Sequence, residues 1–185
     1  MNNNMNTESQ ATSNESSSHP EPNMDDDTII SYETFDDMNL KLPLVRGIYG
    51  YGYEKPSVIQ QKGIIAVTKK RDIVAQSQSG TGKTATFCIG TLQMVDENLL
   101  KPQVLIMAPT RELAKQINMV LTNLSDYMNI KSVLCIGGEK LVDNISELEK
   151  GCHYVVGTPG RIFDLLKRYI LNSENLMTMV LDEAD

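Results

Sequence analysis

From Asp72 to Leu181 the sequence alternates short apolar runs with stretches of helical period, and no other feature narrows the fold as much. Asp72–Ala75, Val104–Met107, Val133–Ile136, Tyr154–Val156 and Met177–Leu181 read as strands. Between them, apolar residues recur on one helical face. The first set is Ala85, Cys88, Ile89, Leu92 and Val95; the second, from Arg111 onward, is Leu113, Ile117, Val120, Leu121 and Leu124. Leu141–Leu148 reads as a third helix, and Arg161–Ile170 as a fourth that turns Ile162, Leu165, Leu166 and Tyr169 inward. Strand Val104–Met107 is apolar without interruption, as a strand covered on both faces must be. The expectation is an α/β domain, a parallel sheet flanked by helices.

The first strand leads into Ser77-Gln78-Ser79-Gly80-Thr81-Gly82-Lys83-Thr84 at the start of a helix. This is nearly G-x-x-x-x-G-K-[ST], a turn whose backbone N–H groups cradle phosphates at a helix N-terminus, with Ser77 where the pattern has Gly. Lys83 would sit on the phosphates and Thr84 would ligate Mg²⁺. Such a site also needs a carboxylate at a buried strand end. Asp182 stands there, 99 residues after Lys83, with Glu183 beside it to orient or deprotonate the attacking water. Upstream, Gln60 offers a donor and an acceptor, the complement of adenine N6 and N7, and Tyr53 or Phe35 could stack on a base or simply fill the core.

Composition limits the setting. The chain has 185 residues, 41% hydrophobic and 22% charged, enough for one domain or slightly more. No apolar run approaches the ~18–20 residues of a membrane span. Cys88, Cys135 and Cys152 are too far apart for a Cys-x-x-Cys clip, and an odd count without a leader points to reduced thiols, in the cytoplasm or nucleus. The net charge of −7 comes from the first 40 residues, which hold nine acids and no Lys or Arg; the remaining 145 carry 17 bases against 15 acids. An anionic partner for the main body is therefore open. Residues 1–30, rich in Asn, Ser, Glu and Asp, are expected to be a disordered tail, with Ser16–Ser18 open to phosphorylation. His19 and His153 are expected to play no ligand role.

In order along the chain, Phe35, the segment Gly52–Gln60, the loop Ser77–Thr84, Pro109-Thr110-Arg111-Glu112-Leu113-Ala114, Gly137-Gly138, Thr158-Pro159-Gly160-Arg161 and Asp182-Glu183-Ala184-Asp185 resemble the DEAD-box ATP-dependent RNA helicases, in their initiation factor 4A-like branch. The resemblance runs from residue 35 to 185. It implies a first RecA-like domain, incomplete at its C-terminus over 61–185, preceded by an adenine-sensing segment over 31–60. It also implies ATP and Mg²⁺ as cofactors, with Phe35, Tyr53, Lys55 and Gln60 at the base, Ser77, Gln78, Ser79, Gly80, Thr81, Gly82, Lys83 and Thr84 at the phosphates, and Thr84 and Asp182 at the metal. Lys83, Asp182 and Glu183 carry the chemistry. Pro109, Thr110, Arg111, Gly138, Thr158, Pro159, Gly160 and Arg161 line an RNA face. Such groups contact phosphate and sugar rather than bases, so RNA binding should ignore sequence, with a shallow salt slope of ~0.7 per phosphate neutralised.

The departures from that pattern are Tyr53 for Phe, Ser57 for Thr, Ser77 for Ala, and Glu139-Lys140 where a Thr is common, with no Gln-x-x-Arg after it. The resemblance further implies a second RecA-like domain, absent here, and a Ser-Ala-Thr strand between the phosphate-loop strand and the Asp182 strand, also absent. The expectation is a partial sequence of a longer RNA-stimulated ATPase: a monomer in contact with RNA and with helicase-regulating proteins, weak in ATP binding and without unwinding activity by itself. The alternatives are a naturally short protein that occupies RNA or a partner without turnover, and another ATPase such as a DNA translocase.

Overall fold

The computed structural model describes residues 32–78 and 80–184. The tail expected over residues 1–30, together with Ser79 and Asp185, lies outside the described residues. The helices are α1 (Leu42–Tyr51), α2 (Val58–Thr68), α3 (Lys83–Met94), α4 (Arg111–Leu124), α5 (Leu141–Glu149) and α6 (Pro159–Lys167). The strands are β1 (Val104–Met107), β2 (Ser132–Cys135), β3 (Tyr154–Gly157) and β4 (Thr178–Leu181). All pairings are parallel, in the order β2-β3-β1-β4, so the fold class read from the sequence is the one observed.

Two cores follow from the strands' alternation. Val104, Ile106, Tyr154 and Val156 point to one face with α3, α4 and Phe35, Leu44, Ile48 and Ile64. Leu105, Val133, Cys135 and Val155 point to the other, under Ile162 and Leu165. The inward residues expected of the first helix, Ala85, Cys88, Ile89, Leu92 and Val95, are all buried.

Two expectations are corrected. Asp72–Ala75 forms no strand: Ile73 and Val74 are exposed and the segment lies outside the four-stranded sheet. A strand holds only when a neighbour takes its backbone groups, and β4, the outermost strand on that side, pairs with β1 alone. Tyr169 does not face the core. Helix α6 stops at Lys167, Tyr169 takes a left-handed φ of 58° and is 94% exposed, and Leu171 is buried instead.

Helices α1 and α2 escape the sequence reading because glycine, proline and β-branched residues break their pattern. Their glycines are there for packing: a Cβ on Gly63 would lie 2.4 Å from Thr86 Cγ2, so α2 and α3 meet closely at that point.

Candidate functional site

Parallel strands present all their carboxyl ends at one edge, where α/β proteins bind ligands. That edge carries Pro109–Arg111 after β1, Gly137-Gly138 after β2, Thr158–Arg161 after β3 and Asp182 after β4.

An open cleft of about 640 Å³ runs along it, lined by Pro109, Thr110, Arg111, Thr158, Gly160 and Arg161 with Gly137. Six of the eight residues expected on an RNA face are thus brought together. Pro159 opens α6 beside them, and Gly138 lies under the Arg111 guanidinium, where a Cβ would come within 2.5 Å of Nη1. Two acids not foreseen, Glu112 and Asp164, share the lining. Thr110 caps α4, its hydroxyl accepting from the Leu113 N–H at 3.2 Å; the hydroxyl of Thr158 makes no such cap on α6. Arg161 is held from behind: Nη2 donates to the Glu139 carbonyl at 2.7 Å and Nη1 to Asn144 Oδ1. The Glu139-Lys140 departure therefore contributes a backbone carbonyl to the cleft's frame. Asn144 was missed; the only sequence signal was a polar residue on the inner face of an amphipathic helix.

At the other side of the edge, Gly82 opens α3 at a φ of 94°, which favours glycine, and Lys83 Nζ donates to the Ser77 carbonyl at 2.7 Å. Ser77 and Thr81 hydroxyls lie 2.7 Å apart, and Thr81 Oγ1 donates to the Gln78 carbonyl at 2.8 Å. Ser57 fastens this loop to α2, its Oγ donating to the Thr81 carbonyl at 2.9 Å. Gln60 is buried. Its Oε1 accepts the Ser57 N–H at 2.8 Å, and a Cβ on Gly82 would lie 2.6 Å from its Nε2. In this structure Gln60 thus braces the phosphate loop from below.

Phe35 has no exposed surface. It meets Tyr49 edge-on and Tyr53 at a tilt, while Tyr53 stacks on Tyr51 with ring centres 5.3 Å apart. Tyr53 is the half-buried ring of the set, its hydroxyl pushed up by burial; Phe35 backs it, and Tyr51 is an aromatic that the sequence reading passed over. Lys55 is exposed.

Asp182 lies close enough to Lys83 to feel its charge. Burial holds the Asp182 carboxyl above the usual range, the Glu183 charge adds to that, and Lys83 pulls the other way. Asp182 and Lys83 are therefore within electrostatic range of one another. Among the described residues no cluster of three or more His, Cys, Asp or Glu could hold a metal alone. The half-buried Asp182 carboxylate suits Mg²⁺, which binds through one or two carboxylates and keeps water and substrate phosphates as its other ligands.

A phosphate-type loop at a helix start and an aspartate at a strand end, on the carboxyl edge of a parallel sheet, define a RecA-like P-loop domain. The chain belongs to the DEAD/DEAH box helicase family, whose profile matches residues 57–185. It is 54% identical over 154 residues to eukaryotic initiation factor 4A of Drosophila melanogaster, covering 83% of this chain and 38% of that protein. It is 52% identical over 152 residues to the ATP-dependent RNA helicase FAL1 of Eremothecium gossypii, covering 82% and 38%. Among solved structures, a DEAD box protein from the hyperthermophile Methanococcus jannaschii superimposes at a TM-score of 0.80 with 39% identity, over 84% of this chain and 43% of that one. S. cerevisiae Dbp5 bound to RNA and ADP BeF3 superimposes at 0.75 with 34% identity, over 83% and 39%. The chain thus spans well under half the length of these relatives. Among the described residues no helix is long and apolar enough to cross a membrane.

Proposed function

We propose that this chain is the ATP-binding lobe of an ATP-dependent RNA helicase, coupling nucleotide turnover to unwinding or clamping of RNA in the cytoplasm or nucleus. The observation that carries the reading is the placement of Asp182 at the end of β4, on the same carboxyl edge of the sheet as the Arg111–Arg161 cleft, with its carboxyl within reach of the Lys83 charge at the start of α3. Lys83 exchanges the Ser77 carbonyl for phosphate oxygens, and the N–H groups of Gly80–Thr84 bind the same anion. Thr84 and Asp182 would hold Mg²⁺, which would neutralise charge developing on the phosphates. Glu183 orients the attacking water, and Tyr53 supports the base. Thr110, Arg111, Thr158 and Arg161 grip the RNA backbone, without base readout.

The 185-residue chain by itself binds ATP weakly and does not unwind, because the segment leading into the loop is unpaired and the resemblance places an arginine finger in a second domain. Such a finger contributes roughly 10³–10⁵ in turnover. Titration of a fluorescent ATP analogue tests the site. Lys83→Ala removes a charged hydrogen-bond donor and should weaken binding about tenfold or more. Gln60→Ala should weaken it too, through the loop. Unchanged affinity in both variants refutes the assignment.

A further inference from the structure

The sheet's other outer strand, β2, is flanked by a groove of about 510 Å³ at the opposite end of the strands from the cleft, between α4 and α5. Lys131 and Cys135 carbonyls accept from the Tyr154 and Thr158 N–H groups at 3.1 Å each. Alternate residues 131, 133 and 135 thus bond to β3, and Ser132 and Leu134 turn their backbone groups outward. Asn144 Nδ2 takes the Leu134 carbonyl at 3.1 Å; the Ser132 N–H and carbonyl and the Leu134 N–H are left as an open ladder.

The groove's two walls differ. On the α4 side the hydroxyls of Thr122 and Ser125 are spent on carbonyls of their own helix, but Asn118 Oδ1 is shielded from solvent and has no partner. On the α5 side stand Lys131, Lys150 and Glu147. Among the described residues the one ion pair is Arg168–Asp164, so neither lysine has an acid within 4.0 Å.

We propose that this groove takes an extended acidic segment of a partner protein, added as a strand to β2. Its backbone completes the Ser132–Leu134 ladder. Because side chains alternate across a strand, its acids meet Lys131 and Lys150 on one side while its small polar side chains lie along Thr122 and Ser125 on the other. Two lysines against one glutamate set the preference for acid.

The test uses the full chain and a fluorescein-labelled octapeptide of alternating threonine and aspartate, with alternating threonine and lysine as control, read by anisotropy. Saturable binding is expected from the aspartate peptide only, weakened about fivefold or more in Lys131→Glu/Lys150→Glu. Ser132→Pro removes an outward N–H, a change that an edge strand tolerates, and should abolish binding at an unchanged unfolding midpoint. If that variant fails to fold, hydrogen exchange in the wild type reads the same contact: the Ser132 and Leu134 amides should gain protection with peptide. Absence of saturable binding, equal binding of the lysine peptide, or insensitivity to the lysine reversals overturns the proposal. So does displacement of the peptide by oligouridine, which would put it in the cleft. An oligouridine affinity that falls in Lys131→Glu/Lys150→Glu but not in Arg161→Ala would make the groove a nucleic-acid site and overturn it as well.

Discussion

Arg161, in the first turn of α6, is hydrogen-bonded through Nη1 to Asn144 of α5, and Asn144 Nδ2 donates in turn to the Leu134 carbonyl of β2 at 3.1 Å. One buried amide thus joins two helices and the outer strand beneath the cleft. Replacing Asn144 with Ala leaves that carbonyl and the guanidinium short of a partner each, at about 1–3 kcal/mol for a buried loss. Urea denaturation should show a loss of that size, and RNA affinity should fall although residue 144 does not line the cleft. Asn144→Asp keeps an acceptor for Arg161 but gives up the donor to Leu134, so affinity should recover more than stability does.

How readily such features are seen in a sequence depends on how local their cause is. The strands β1 to β3 and the inner face of α3 announce themselves by apolar period, because each is buried against neighbours that the chain supplies, whereas β4 has the same apolar run with Met179 and Leu181 exposed. The loop Ser77–Thr84 and Asp182 stand out in the sequence because the phosphate and metal site proposed for them would demand fixed residue types at fixed places. Asp72–Ala75 has a strand's composition and no strand, since pairing depends on which neighbour stands beside it, and composition is silent on that. Gln60 and Phe35 are found by their letters, but their burial comes from the tertiary approach of α2 and the 35–53 segment to α3. Asn144 carries no motif at all; its role exists only once β2 and α6 are beside it.

His153, read from the sequence as a residue without a ligand role, is a buried structural group. Its Nδ1 accepts the Lys131 N–H at 3.0 Å, and Nε2 lies 3.2 Å from the Glu97 carbonyl, which makes the neutral ring protonated at Nε2. Burial lowers its pKa, with the Glu97 carbonyl opposing. A group whose folded pKa is depressed binds fewer protons in the native state, so its contribution is intact above the unfolded value of about 6.5 and is lost as pH falls below it. Denaturation midpoints should therefore drop as pH falls below about 6.5. In His153→Gln that part of the slope should vanish, leaving only the carboxylate titrations common to both proteins; equal slopes in the two would refute the assignment.

The three thiols should be inert in the folded chain. All are buried, and burial pushes Cys135 up to about 12 and Cys152 to about 11, with Cys88 raised further. Since the thiolate is the reactive species, an aromatic disulfide reagent at mildly alkaline pH should label them only as fast as the protein opens. Denaturant should release all three at once, whereas a rapid labelling phase in native buffer would contradict their burial.

Gly138 offers the sharpest separation of backbone from side chain in the cleft. Its φ of 88° is left-handed, and a Cβ would sit 2.5 Å from Arg111 Nη1 and 3.0 Å from Cζ. Gly138→Ala should cost about 1–2 kcal/mol for the backbone strain alone, read as a lower unfolding midpoint. The added methyl also expels the Arg111 guanidinium, so RNA affinity should fall by about as much as in Arg111→Ala. The double variant decides between the two effects. If glycine acts on RNA through Arg111, Gly138→Ala in the Arg111→Ala background should leave affinity unchanged while still lowering stability. Additive losses of affinity would mean that the Gly138 backbone meets RNA on its own account.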